Sequence, residues 1–202
     1  MYRAFKRIQG FKLNRYDDRE TKRLISEGEY SPVTPDPGYI LDLGAHKGYA
    51  TEYFARNFPK AKIHAYEAAP FLFRKTAKRL SKYANVQVFE EAIAGHDGVV
   101  AFGISTRDVS SSIYLPTTTN VPCISLRTAV SRLGSTNIVV KMDIEGAEFE
   151  ALKDIPDEVV EIVGEVHPQK AGRSTDELRA LLHGFKDVSI VDGKKSVFRA
   201  VR

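Results

Sequence analysis

From Tyr39 onward, short apolar stretches alternate with segments of helical character, and this alternation constrains the fold more than any other feature. Runs of β-branched and aromatic residues at 39–43, 61–67 and 137–143 predict strands. Segments such as 49–58 and 70–82 predict the helices between them. Strands that alternate with helices form right-handed βαβ units, so the sequence predicts an α/β fold with a mostly parallel sheet covered on both faces.

The end of the chain departs from this alternation. Two strands are predicted at 187–191 and 196–201, and Asp192-Gly193 stands between them. An Asp-Gly pair between two apolar runs is typical of a tight hairpin. We therefore expect a Rossmann-like sheet that finishes in an antiparallel C-terminal hairpin.

Composition excludes several classes of protein. The 202 residues are 43% hydrophobic and 28% charged, which is typical of a globular domain and not of a disordered chain. Because Cys123 is the single cysteine, an internal disulfide and a cysteine-based zinc site are excluded, and a reducing, cytoplasmic location is expected. No apolar run approaches the roughly 20 residues that span a bilayer, so stable membrane insertion is not expected. The net charge of +4 permits an anionic partner without requiring one. The oligomeric state is left open.

A proline-rich stretch divides the chain. Ser31 to Gly38 contains three prolines within six residues, which neither a helix nor a central strand accommodates. The prediction is a basic N-terminal arm and connector at 1–38, followed by one domain at 39–202.

The loop after the first predicted strand carries the first candidate site. Asp42, Gly44 and Gly48 are spaced as D-x-G-x-x-x-G, with Ala45 beside the first glycine. Glycines let the backbone turn tightly and approach a ligand, but a carboxylate at position 42 would repel a pyrophosphate. It suits a cationic ligand instead, and S-adenosylmethionine carries an ammonium and a sulfonium. A structural glycine turn with a capping aspartate is the alternative.

Acidic residues also follow the next two predicted strands. Glu67 ends the second strand, 19 residues after Gly48, where a carboxylate can accept the hydroxyls of a ribose. After the third predicted strand, at 85–89, Glu91, Ala92 and Ile93 stand where an adenine ring would lie between apolar side chains.

The densest polar cluster follows the strand at 137–143. It contains three carboxylates within six residues, namely Asp143, Glu145 and Glu148. The next strand ends in Glu165 and His167, which are two residues apart and therefore point to one face. Because parallel strands bind ligands beyond their carboxyl ends, these groups are candidate catalytic residues.

Five sequence blocks in this order resemble a known family. DLGAHKGYAT, EEAIAGHDG, VPCISL, VVKMDIEGAEFEAL and EIVGEVHP are similar to those of FkbM-type methyltransferases, a branch of the class I S-adenosylmethionine-dependent enzymes. The resemblance implies a seven-stranded sheet with one antiparallel strand. It also implies that Asp42, Gly44, Gly48 and Glu67 hold the cofactor. Around the methyl-transfer site it places Asp143, Glu145, Glu148, Glu165 and His167.

The function expected from these features is O-methylation of a hydroxyl group on a small metabolite or sugar. His167 is the favoured general base, because an imidazole titrates near neutral pH, and Asp143 is the alternative. Glu165 could orient His167. No metal is expected, although Asp143, Glu165 and His167 offer oxygen and nitrogen ligands for a divalent ion.

Two other functions remain open. Helix 70–82 carries five basic residues and no acidic one, with Phe73, Ala77 and Leu80 predicted to face the sheet. With the N-terminal arm, this basic stripe could bind phosphates and make the chain an RNA methyltransferase. A non-catalytic nucleotide-binding partner module is the other alternative, which the intact carboxylate cluster disfavours.

Overall fold

The computed structural model describes residues 28, 30–103, 119–192 and 196–202. Most of the predicted basic arm, at 1–27, and the hairpin turn at 193–195 lie outside these ranges. The strands of the described part are β1 (Tyr39–Leu43), β2 (Lys62–Tyr66), β3 (Val86–Phe89), β4 (Ala92–Ala94), β5 (Gly98–Phe102), β6 (Thr119–Ser125), β7 (Ile138–Met142), β8 (Val159–Val166), β9 (Asp187–Val191) and β10 (Ser196–Val201). The helices are α1 (Tyr49–Asn57), α2 (Pro70–Leu80), α3 (Leu126–Ser131), α4 (Glu148–Ala151), α5 (Pro168–Ala171) and α6 (Thr175–Leu181). Among them, none has the length and apolar character that crossing a membrane requires.

The main sheet confirms the predicted fold. Its seven strands among the described residues run in the order β3-β2-β1-β7-β8-β10-β9. β10 is antiparallel to both of its neighbours, whereas the pairs from β3 to β8 are parallel. The C-terminal hairpin therefore supplies the antiparallel strand that the sequence predicted.

Both faces of this sheet are covered, as expected for parallel strands. Alternate residues of β1 enter two separate apolar clusters. Ile40 packs with Phe54 of α1, whereas Leu41 and Leu43 belong to the cluster that contains buried residues of α3, α4 and α6. The cluster on the α1 side also contains Tyr30, which is 2% exposed. The residue that immediately precedes the proline-rich stretch is thus packed into the domain that follows it.

A second sheet was not predicted. It has the order β4-β6-β5, so β5 belongs here and not to the main sheet. Its partner strands carry weak sequence signals, because β4 has only three residues and β6 contains Pro122. The proline is tolerated since β4 pairs with Cys123 to Ser125 and stops short of it.

Helix α2 is rotated slightly from the predicted orientation. Its buried residues are Leu72, Thr76 and Leu80, while Phe73 and Ala77 are only partly buried. The prediction from apolar residues alone was therefore wrong at two positions. Thr76 takes a core position because its hydroxyl donates a hydrogen bond to the backbone carbonyl of His46.

Candidate active site

The strand order brings the predicted site residues to one edge of the sheet. β2, β1, β7 and β8 are neighbours, and their carboxyl ends lie side by side. Asp42 stands near the end of β1, and Glu67 follows β2. Asp143 directly follows β7, and Glu165 lies near the end of β8.

The loop after β1 is closely packed against the end of β7. Gly44 has a φ of +80°, and a Cβ atom there would lie 1.9 Å from the backbone oxygen of Asp143. The backbone N–H groups of Gly44 and Ala45 both donate to the carbonyl oxygen of Tyr66, at 3.1 and 2.9 Å. Gly48, with a φ of +77°, forms the N-cap of α1. Only glycine fits this backbone at position 44, because the loop is in direct contact with the backbone of Asp143 after β7.

Asp42 has protein partners where the sequence predicted a cofactor ammonium. Its side chain is fully buried, and its Oδ2 accepts a hydrogen bond of 2.5 Å from Thr51. Its Oδ1 lies 3.0 Å from Nζ of Lys141, which also donates to the carbonyl oxygen of Gly44 at 2.8 Å. Asp42 therefore braces the glycine loop through a buried ion pair.

Lys141 is a residue of this arrangement that sequence reasoning missed. It is 3% exposed in the middle of the sheet. Burial lowers its pKa, but the attraction of Asp42 and Asp143 outweighs burial and raises it, so the ammonium stays charged. The signal was present in the sequence: a lysine inside the apolar run Ile138–Met142 requires a buried anion as a partner.

Glu67 is a buried carboxylate that contacts the glycine loop. It is 7% exposed, and its two oxygens accept backbone hydrogen bonds from His46 at 2.7 Å and Ala69 at 2.8 Å. Burial raises the pKa of Glu67 to about 7 despite these bonds. Each carboxylate oxygen has two lone pairs, so both can accept one more donor. This chemistry fits the hydroxyls of a ribose.

The residues after β3 are engaged within the protein. Glu91 forms an ion pair with Arg132, with 2.5 Å between Oε2 and Nη1. Ala92, 5% exposed, begins β4. Nearby, the ring of Tyr66 stacks on Phe89 at 4.9 Å between centroids. Contact of Glu91 and Ala92 with an adenine ring stays a prediction.

His167 lies among four carboxylates. Its Nδ1 is 2.9 Å from Oε1 of Glu148, and its Nε2 is 3.3 Å from Oε2 of Glu145. Oxygens of Asp143 and Glu165 lie 3.9 and 3.8 Å from Nε2. Burial lowers the pKa of His167, but Glu148, followed by Asp143 and Glu145, more than offsets it, so the net pKa is raised.

The three carboxylates after β7 have different partners. Glu148 is fully buried, and its Oε1 accepts the backbone N–H groups of Ile144 and Gly146 as well as facing His167. Glu145 has a φ of +58° and forms an ion pair with Lys170. Glu148 therefore closes the turn and holds the imidazole.

A divalent cation would find suitable ligands at the same place. Single atoms of Asp143, Glu148 and His167 lie within 4.8 Å of one another. This set contains Glu148 where the sequence prediction had Glu165. Two oxygens and one nitrogen suit a hard or intermediate cation.

Comparison with known proteins identifies the family of this chain. The family model described as "Methyltransferase FkbM domain" matches residues 42–188, which include all the site residues above. The chain is 34% identical over 82 residues to a malonyl-[acyl-carrier protein] O-methyltransferase of Halorhodospira halophila, covering 38% of this chain and 28% of the relative. It is also 34% identical over 82 residues to ribosomal RNA small subunit methyltransferase A of Thermotoga neapolitana, covering 40% and 29%. The chain thus spans less than a third of either relative.

A solved structure has the same fold. TrmK of M. capricolum, in complex with S-adenosyl-homocysteine, superposes with a TM-score of 0.54 at 13% identity. The match covers 86% of this chain and 66% of that one. The predicted Rossmann-like class I methyltransferase fold is confirmed.

Proposed function

This chain belongs to the FkbM methyltransferase domain family, and from that membership we propose that it transfers a methyl group from S-adenosylmethionine to a hydroxyl of a small metabolite or sugar. One observation carries the proposal. The glycine loop after β1 packs directly on Asp143, and His167 with its carboxylates lies beside it. A cofactor held by the loop is thereby close to a candidate base.

The cofactor half of the site depends on the backbone around Gly44 and on Glu67. When bound, S-adenosylmethionine supplies a methyl group on a positively charged sulfur. Glu67 accepts hydrogen bonds from the ribose. The loop from Gly44 through Ala45 to Gly48 lets the backbone approach the nucleoside closely. Asp42 supports the loop through Lys141, and Glu91 and Ala92 contact the adenine side.

His167 takes the proton from the acceptor hydroxyl at Nε2. The hydrogen bond from Nδ1 to Glu148 leaves Nε2 as the proton acceptor. The imidazolium that forms is stabilised by Glu145 and Asp143 on the Nε2 side. Positioning of the reactants supplies up to about 7–11 kcal/mol, and base catalysis adds roughly 10²–10⁴-fold. Asp143 is the alternative base.

Calorimetric titration of S-adenosylmethionine separates the two halves of the site. We expect micromolar binding by the wild type and by His167→Ala, and binding weakened at least tenfold by Glu67→Ala. Glu90→Ala, an exposed glutamate after the neighbouring strand, is the matched control and should bind normally. A folded wild type that binds no cofactor contradicts the proposal and favours a non-catalytic module.

The acceptor class needs a second assay. With S-adenosylmethionine carrying a labelled methyl group, a panel of hydroxylated sugars and small metabolites is screened with the wild type, His167→Ala and the exposed-histidine control His183→Ala. Turnover lost only in His167→Ala supports the base. Binding without turnover of any small hydroxyl compound contradicts the acceptor assignment.

RNA is the second candidate acceptor, favoured by the exposed basic face of α2. Arg74, Lys75 and Lys78 are exposed there, but Arg79 and Lys82 both pair with Glu52, a buried residue of α1. The basic stripe is therefore narrower than the sequence predicted. To test this acceptor, a structured total RNA fraction is incubated with the protein and S-adenosylmethionine carrying a labelled methyl group, at low and at high salt. Replacement of Lys75 and Lys78 by glutamate should abolish labelling of the RNA only if RNA is the acceptor.

A further inference from the structure

A residue just before the proline-rich stretch of the connector reaches the candidate methyl-transfer site. Tyr30 is 2% exposed and packs in the cluster that contains Ile40, Phe54 and Val139. Its ring centroid lies 5.3 Å from Nζ of Lys141. Tyr30 precedes the residues matched by the family model, so nothing in the sequence pattern linked it to the site.

The phenol of Tyr30 makes a hydrogen bond to a candidate catalytic residue. Its hydroxyl donates to Oδ2 of Asp143 at 2.9 Å, across 113 residues of sequence. The other oxygen of Asp143, Oδ1, lies 3.9 Å from Nε2 of His167. The two oxygens are thus divided between the connector and the imidazole. Burial, followed by the charges of Asp143 and Glu165, raises the pKa of Tyr30 well above its usual value, so the phenol remains a donor.

The connector is fixed on both sides of this contact. Glu161 of β8 is fully buried and accepts the backbone N–H groups of Val33 and Thr34, at 3.0 and 2.8 Å. On β10, Arg199 donates to the carbonyl oxygens of Gly28 and Ser31, which flank Tyr30, at 3.2 and 2.8 Å. The phenol is therefore held in place before any ligand binds.

From this geometry we infer that Tyr30 is a positioning residue for methyl transfer, which orients Asp143 so that one oxygen faces His167. The inference rests on the proposed function. It makes the connector part of the methyl-transfer site, in addition to linking the arm to the domain. A misplaced group beside the reacting atoms commonly lowers the rate by about 10- to 100-fold, and this is the loss of kcat expected for Tyr30→Phe.

Tyr53→Phe provides a matched control. Tyr53 lies in the same buried cluster, and its hydroxyl shares a hydrogen bond of 2.8 Å with Ser31 of the connector. Each variant removes one phenol hydrogen bond from the same segment while keeping the aromatic ring. Only Tyr30→Phe breaks the contact with Asp143.

The primary readout is the titration of His167 by NMR, assigned with His167→Gln, because it requires neither cofactor nor acceptor. Without the phenol, Asp143 is free to turn away from the imidazole, so Tyr30→Phe should lower the midpoint by about 0.5 pH unit and Tyr53→Phe should not move it. With an acceptor that the wild type methylates, Tyr30→Phe should lower kcat and leave the affinity for S-adenosylmethionine within twofold.

Thermal unfolding confirms that both variants are folded. Equal midpoints for His167 in the two variants overturn the positioning role. An equal kcat in Tyr30→Phe and Tyr53→Phe also overturns this role. In an Asp143→Asn background, Tyr30→Phe should cause no further loss of kcat, and an additional tenfold loss there overturns it as well. A wild type that binds no cofactor refutes the proposed function instead, and the NMR titration still decides the contact.

Discussion

Removal of Lys141 should destabilise the protein strongly, because its partner is equally buried. Lys141 and Asp42 are 3% and 0% exposed, with 3.0 Å between their charged atoms. Breaking a buried pair leaves one charge uncompensated and costs roughly 3–5 kcal/mol. For a chain of this size, that lowers the melting temperature by about 6–20 °C.

The double variant Asp42→Asn/Lys141→Met makes the prediction specific. The amide oxygen introduced by Asp42→Asn would still accept the hydrogen bond from Thr51, and neither position would then carry a charge. We expect the double variant to be less destabilised than the sum of the two single variants by at least about 2 kcal/mol. Lys62→Met, at an exposed position of β2, is the control and should change the free energy of unfolding by less than about 0.5 kcal/mol.

Urea unfolding at pH 7.5, with cofactor titration of the folded variants, measures both effects. A cost below about 1 kcal/mol for Lys141→Met, or strict additivity in the double variant, would refute the reasoning. Cofactor binding adds a second test of Asp42. If Asp42 only braces the loop, the double variant should keep its affinity within about tenfold, whereas a direct contact with the ammonium predicts a larger loss.

Four further outcomes follow from the same geometry. Gly44→Ala should destabilise by more than about 2 kcal/mol in urea unfolding, because its Cβ would lie 1.9 Å from a backbone oxygen; Gly172→Ala, at a φ of +63° in open space, should cost only about 1 kcal/mol. The pKa of Glu67, about 7, exceeds the ordinary 4.5, so the folded chain binds more protons between these values. The free energy of unfolding should therefore fall by roughly 3 kcal/mol from pH 4 to 8, measured against Glu67→Ala. The raised pKa of His167 predicts that the methylation rate rises with pH through a midpoint above 6.5, and Glu148→Gln should move this midpoint to lower pH. Exhaustive dialysis against EDTA should leave the rate unchanged in a labelled-methyl assay.

Each opposite result would contradict a specific inference. Equal costs at the two glycines would mean that the loop can move away from β7. A flat stability profile would show that Glu67 ionises normally. An unmoved midpoint in Glu148→Gln would place the base elsewhere. Activity lost on chelation and restored by Mg²⁺ would favour a metal held by the histidine and its carboxylates.

The order of elements could be predicted because its signals are local. The hairpin at β9 and β10, the glycine turn at Gly44 and Gly48, and the acidic strand ends depend on neighbouring residues and on periodicity. The small second sheet could not be predicted in the same way. Its strand β4 is too short for a pattern, and Pro122 argues against β6 until the actual pairing is known.

The α/β class, the location of the candidate site at the carboxyl edge and the acidic and histidine side chains found there all follow from the amino-acid sequence. Strand alternation and residue chemistry are sufficient for these, because parallel sheets place all their strand ends on one edge. Which charges meet depends instead on the folded core. Asp42 pairs with Lys141 from a neighbouring strand, and Asp143 meets Tyr30 across 113 residues. Such pairs form through side-chain packing between distant segments, which local periodicity does not encode.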